Sequence, residues 1–222
     1  MARKTYSGAS NDKERSMKKL IEAVGTIIKT KGYTGLGATN IGKCAGLSKR
    51  LIYSYFGTVD NLVEIYVRGK DYWVAAAGNT TELTEANSGE HTREVLESLL
   101  HNQLDYFGSN DEMQKIVLWQ LSERSKIMFE VAEEREKLGN AFFSLAEPAF
   151  EGTDTDIRAV AGLLVGGIYY MVLHAKSNDS LFCGIDVGSP GGIARMKEAI
   201  SGILNDTYNN AKIQREKIKE KE

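Results

Sequence analysis

Gly32-Tyr33-Thr34-Gly35-Leu36-Gly37-Ala38-Thr39-Asn40-Ile41-Gly42-Lys43-Cys44-Ala45-Gly46-Leu47-Ser48-Lys49-Arg50-Leu51-Ile52-Tyr53-Ser54-Tyr55-Phe56-Gly57-Thr58-Val59-Asp60-Asn61-Leu62 is the stretch that decides the fold. It reads as a short helix, a glycine turn, a second short helix and the entry to a third. Ile41 and Ala45 sit at helical spacing and pack the first helix inward, Gly46 supplies the positive φ of the turn, and Leu47 plugs the corner. Ser48 is a good N-cap, so the second helix is predicted to start there. On that helix Ile52 and Phe56 face a core, while Lys49, Arg50 and Tyr53 lie towards the other side. Thr58 caps the third helix. The pattern is a helix-turn-helix whose second helix carries donor side chains suited to a DNA groove.

Upstream, Met17, Leu20, Ile21, Val24, Ile27 and Ile28 make one apolar stripe and predict a helix over 12–31, stopped by Gly32. Downstream, Leu62, Ile65, Tyr66, Trp73 and Val74 carry a helix to about Ala77. A polar loop is expected over 78–89, then helices over 91–107, 111–122, 125–150, 154–177 and 192–212, with a charged tail that frays. No strand alternation and no internal repeat is present. The fold class is therefore all-α, and only two prolines, Pro148 and Pro190, interrupt it.

The formal charge of −2 conceals an asymmetry. Up to Asp60 there are eleven basic and four acidic side chains, a balance of +7, which leaves −9 for the rest. A basic head on an acidic body suits a head that meets phosphate. Cys44 and Cys183 are too few for a disulfide framework, and Cys44 reads as a small core residue. No paired Cys/His spacing points to a metal, no cofactor is implied, and no nucleophile–base constellation or phosphate-binding glycine loop points to an enzyme. The N-terminus lacks the apolar run of a signal peptide. The uncharged stretch Ala159 to Ala175 is short for a membrane span and reads as a buried helix. A cytoplasmic protein is the expectation.

The segment Gly32 to Leu62 resembles the DNA-binding domain of the TetR family of bacterial regulators. Gly32-Tyr33, Ile41-Gly42, Ala45-Gly46-Leu47-Ser48, Ile52-Tyr53, Tyr55-Phe56 and Leu62 match the family pattern without gap. With its flanks the match covers about a quarter of the chain. The resemblance implies an all-α homodimer with an N-terminal three-helix DNA-binding domain over 1–60. A helical effector-binding and dimerisation domain would occupy 61–222. Its partners would be a double-stranded DNA operator, a small-molecule effector and a second copy, with no membrane. Two positions depart from the family: Gly37-Ala38 and Val59 stand where many members carry a phosphate-contacting hydroxyl and lysine. The alternative reading is a helical small-molecule-binding protein of the same fold with weakened or lost DNA binding.

For DNA contact the candidates are Thr39, Lys43, Ser48, Lys49, Arg50, Tyr53 and Tyr55. Lys49 and Arg50 read bases or neutralise phosphate; an arginine bonds guanine O6 and N7. Thr39 adds a base or backbone contact, while backbone amides, Lys43, Lys49 and the N-terminal arm residues Arg3 and Lys4 compensate for the two weakened phosphate contacts. The resemblance gives Tyr53 and Tyr55 phosphate contacts through their hydroxyls, against the alternative of packing inside the head. Ser48 serves mainly as a cap.

The body is rich in rings that line effector pockets or fill cores. Trp73, His101, Tyr106, Trp119, Tyr170 and His174 are the preferred pocket residues. Gly162, Gly166 and Gly167 weaken an otherwise strong helix, which a close helix approach would offset. The resemblance implies that the last two long helices form a dimeric four-helix bundle, which makes Gly162, Gly166, Met196, Ile200 and Ile203 the candidate dimer contacts, with packing inside the subunit as the alternative.

Overall fold

A computed structural model of the chain describes residues 9–74 and 91–220. The expected arm contacts Arg3 and Lys4 and the polar loop over 78–89 lie outside those residues. The described chain forms helices α1 (Ala9–Lys31), α2 (Ala38–Ala45), α3 (Arg50–Phe56) and α4 (Val59–Lys70). It continues with α5 (Thr92–Ser109), α6 (Asp111–Ser122), α7 (Lys126–Ala146), α8 (Ile157–Asn178) and α9 (Pro190–Lys219). Among these residues the one strand-like feature is an isolated antiparallel bridge between Phe182 and Ile185. The all-α expectation is met.

Three helix ends differ from the sequence reading. α4 stops at Lys70, because Asp71 is extended (φ −70°, ψ 123°) and its amide closes on Arg68 O. Helical backbone resumes at 72–74. α7 gives way at Glu147 to a 3-10 turn around Pro148, whose ring cannot continue an α-helix. α9 runs on to Lys219 in place of fraying. The Gln214 side chain accepts a hydrogen bond from Asp154 N at 2.9 Å, and Ala211 is buried, so the last turns are tied down.

Two compact units emerge. The first takes the described chain up to Asp71 together with Asp111–Ala132, and so runs past residue 60 and returns for α6 and the start of α7. Leu20, Val24, Ile27 and Ile28 of α1 close on Ile41, Ile52, Leu62 and Val67, and Ile116, Trp119 and Val131 join the same core. Tyr33 stacks flat on Trp119 with ring centroids 5.3 Å apart.

One carboxylate ties three helices of this unit. Glu112, at the start of α6, meets Lys29 of α1 at 2.6 Å and Lys70 of α4 at 3.0 Å. It also accepts the hydroxyl hydrogen bond of Tyr66. Tyr66 reaches it by crossing α1 at Gly25, where a Cβ would run into the phenol. Burial raises the Glu112 carboxyl, but hydrogen bonds from Lys29, Tyr66 and Lys70 outweigh burial and bring it from 4.5 to about 2.

The second unit takes the chain from Tyr72 to Asn110 and from Glu133 onward. In it α5 packs against α8 and α9 through Leu96, Leu100, Leu104 and Phe107 on one side and Ile168, Val172, Met196, Ile200 and Leu204 on the other. Tyr208 closes the lower end, donating to Thr92 Oγ1 at 3.1 Å while its ring meets Phe150. The connection between α8 and α9 turns back on itself at Cys183 (φ 51°) and Gly184 (φ 71°), and Ser189 caps α9. Gly192 on the first turn of α9 has no room for a side chain, since a Cβ would run into the Asp186 carbonyl. Gly192→Ala is expected to displace that connection and cost about 2 kcal/mol. Urea unfolding measures it; an unchanged midpoint would refute the close approach.

Candidate functional site

The helix-turn-helix is built on two glycines. Gly46 closes α2 in the left-handed region (φ 66°, ψ 31°), and Leu47 N returns to Gly42 O at 2.9 Å. A Cβ on Gly42 would meet Leu47 O at 2.9 Å and Lys49 N at 3.2 Å, so the turn lies directly on the helix. This is the physical reason for a residue without a side chain at position 42. Regular helix begins at Arg50, two residues after the expected start. Ser48 still serves as a weak cap, its hydroxyl accepting from Arg50 N at 3.4 Å. Thr58 caps α4 as expected, accepting from Asn61 N at 3.0 Å.

With Ile52 and Phe56 buried, Lys49, Arg50 and Tyr53 point to solvent, and Tyr53 is 53% exposed. Thr39, Lys43 and Ser48 are exposed as well. Thr39, Lys43 and Lys49 line one shallow groove of about 360 Å³ together with the turn. Tyr55 is different: half-buried, it packs on the core of the first unit, with Lys13 Nζ 5.6 Å over its ring. Cys44 is exposed and not a core residue, because the inward face of α2 is taken by Ile41, Gly42 and Ala45. Ala38 and Val59 also pack on the core, so neither presents a polar side chain at its helix start.

The six expected pocket residues separate into four places. Trp119 belongs to the first unit, stacked on Tyr33 and donating to Glu123 Oε1 at 3.1 Å. Trp73 and Tyr106 join a cluster of rings in the second unit. Trp73 Nε1 donates to Tyr169 OH at 3.0 Å, Tyr169 meets Phe107 edge-on at 4.8 Å, and Tyr72 lies 5.6 Å from Tyr106. His101 is on another face of α5, where Nε2 is 3.1 Å from Lys197 O and 3.3 Å from Ser201 Oγ on α9. Tyr170 and His174 gather around Phe182 at 5.1 and 5.2 Å, beside the α8–α9 connection.

Sequence reasoning missed Gln103 and Tyr72. Gln103 is fully buried on α5, and among the described residues neither its amide oxygen nor its amide nitrogen has a hydrogen-bond partner. Such groups are rare in folded proteins, and each costs about 1–3 kcal/mol unpaired. Tyr72 donates to Leu99 O at 2.8 Å. Burial, then Tyr169 beside it, pushes its phenol up to about 12, so it stays neutral.

The outer face of α8 carries Ala159, Gly162, Leu163, Gly166 and Tyr170, with Leu163 78% exposed and Tyr170 56% exposed. A Cβ on Gly162, Gly166 or Gly167 would meet no atom of the described residues within 4 Å. Packing among the described residues therefore does not explain these glycines. The helix is long and apolar enough to cross a membrane by composition alone, but its inner face, Ile157, Ala161, Ile168 and Val172, is buried in the second unit. Met196 and Ile200, expected at a partner, are buried within the unit, whereas Ile203 is 44% exposed. The exposed stripe on α9 runs through Ala199, Gly202 and Ile203.

Solved structures share this arrangement. A TetR family transcription regulator from Marinobacter aquaeolei VT8 is similar with a TM-score of 0.61 at 16% identity, covering 87% of this chain and 97% of that one. The chain has the TetR-regulator fold. FadR from Bacillus subtilis, a transcriptional regulator solved with stearoyl-CoA, gives 0.59 at 16% identity over 84% of this chain and 96% of its own. A Clostridium perfringens protein assigned as a fatty acid metabolism regulator gives 0.62 at 19% identity over 85% and 97%. No protein-family model and no curated protein sequence matches the chain. The TetR-type fold thus rests on shape together with the ungapped motif of residues 32–62.

Proposed function

We propose that the chain is a homodimeric DNA-binding transcriptional regulator of the cytoplasm, released from a pseudo-palindromic operator by a small-molecule effector. The observation that carries this reading is the outward face of α3 and its turn. Lys49, Arg50 and Tyr53 stand clear of the core, and Lys43 and Thr39 border the same groove. The contacting residues all fall within 1–60, while α6 completes the unit that holds them. Dimerisation and effector binding fall to residues beyond 60. Ala38 and Val59 supply no phosphate donor, so Lys43, Lys49 and the amides at the start of α2 take that role. Tyr53 is the tyrosine that reaches phosphate; Tyr55 holds the head together. A small-molecule effector is supported by neighbours with this fold, among them the stearoyl-CoA-bound FadR and a multidrug binding protein, EbrR, complexed with imidazole.

Arg50→Ala is expected to relax preference at one operator base and cost about 1–3 kcal/mol on the preferred site. Lys43→Ala should instead weaken binding to every sequence evenly and reduce the salt slope by about 1. Sequences selected from random DNA, measured at several salt concentrations, separate the two. Identical behaviour of the variants would sink the assignment of α3 as the reading helix.

A further inference from the structure

Gln103 stands where the packing calls for an apolar side chain. Leu96, Leu100, Gln103 and Phe107 form one stripe of α5, and all four are buried. The Leu99 carbonyl, which accepts the helical hydrogen bond of Gln103 N, also accepts the Tyr72 hydroxyl. From there the Tyr72 ring leans towards Tyr106, one turn beyond Gln103 on the same face. Phe107, on the next residue, meets Tyr169, which holds Trp73. Gln103 thus shares a face of α5 with Tyr106 and Phe107, whose rings meet Tyr72 and Tyr169. Two of those rings have already committed a polar group: Tyr72 to Leu99 O, and Trp73 to the Tyr169 hydroxyl. The Gln103 carboxamide has committed neither its donor nor its acceptor.

A carboxamide presents an acceptor and a donor side by side, and its complement is another such pair in reverse order. The rings that share this face of α5 offer flat apolar contact and carry no charge of their own, so an ionised ligand group buried among them would be uncompensated. We propose that Gln103 is the specificity-determining residue of the effector site, and that the effector is a neutral, flat molecule bearing a cis-amide edge, such as a lactam or cyclic imide. This rests on the reading of the second unit as an effector-binding body.

The test uses the full-length chain and two bicyclic probes of nearly equal size, 2-quinolone and quinoline, titrated by calorimetry. 2-Quinolone has the N–H and C=O pair; quinoline has not. The wild type is expected to bind 2-quinolone at least tenfold more tightly. Gln103→Leu is expected to bind the two within twofold of each other. The same variant should unfold about 3 °C higher or more, since it removes two unpaired polar atoms from a buried place. A destabilised variant, equal binding of both probes by the wild type, or no binding of either would each overturn the proposal. Binding of the wild type to DNA selected from a random pool is measured in parallel. Retained DNA binding with no discrimination between probes removes the Gln103 assignment alone, whereas loss of both removes the regulator reading.

Discussion

Glu112→Gln is expected to lower stability by about 2 kcal/mol at neutral pH, and the loss should fade as the solution is acidified. Lys29, Tyr66 and Lys70 all converge on this carboxylate, and they bring it from 4.5 to about 2. A carboxyl moved that far is worth about 3 kcal/mol, and screening of the two partly exposed lysines reduces this to about 2 kcal/mol. Because the folded value lies below the unfolded one, the stabilisation is complete above pH 4.5 and is lost as pH falls towards 2. Urea unfolding of both proteins at a series of pH values measures the difference. It should be constant from pH 7 to about 5 and then narrow. A difference that stays flat to low pH would mean that the glutamine disturbs packing and not charge.

In the proposed homodimer, Gly166→Trp is expected to weaken association by about 100-fold or more, or about 2.7 kcal/mol, leaving monomers. A Cβ at Gly166 meets no atom of the described residues within 4 Å, so the indole projects outward from α8 between Leu163 and Tyr170. Close approach of a partner helix is what glycine permits and tryptophan forbids. The fold itself should be indifferent, with the helical circular dichroism signal and the urea midpoint extrapolated to low protein concentration unchanged. Sedimentation equilibrium reads the outcome. A dimer of undiminished strength would place the interface elsewhere. Met196 and Ile200 are unsuitable for this test, since both are buried within the unit and their replacement would damage its core.

Much of the first unit is legible in the sequence because its chemistry is local. Gly46, Leu47 and Thr58 act within five residues of their own positions, and the structure finds each where the motif implies, whereas the helix expected from Ser48 starts at Arg50. Glu112 is not legible, because its partners lie on helices far apart in sequence. The aromatic residues fail for a different reason. Composition names the rings but not their phase, and Tyr169 and Tyr170, adjacent in sequence, point to different neighbours. The same phase argument, applied to Leu96, Leu100 and Phe107, places Gln103 inward. A glutamine at the centre of an apolar stripe is a signal that a search for rings and histidines passes over. Met196 and Ile200 obey the same logic. The apolar stripe on α9 is visible in the sequence, but spacing alone does not say whether it faces the home subunit or a second copy.

The chain has two tryptophans, and the fold has put one in each unit. Trp119 is 7% exposed and stacked on Tyr33 within the unit that holds the helix-turn-helix, whereas Trp73 bonds Tyr169 in the other. The molecule therefore carries two intrinsic fluorophores with separate assignments. Trp119→Phe leaves a lamp in the body alone, and Trp73→Phe leaves one in the head alone. Melting each single-tryptophan protein would show by emission whether the two units come apart together or one before the other.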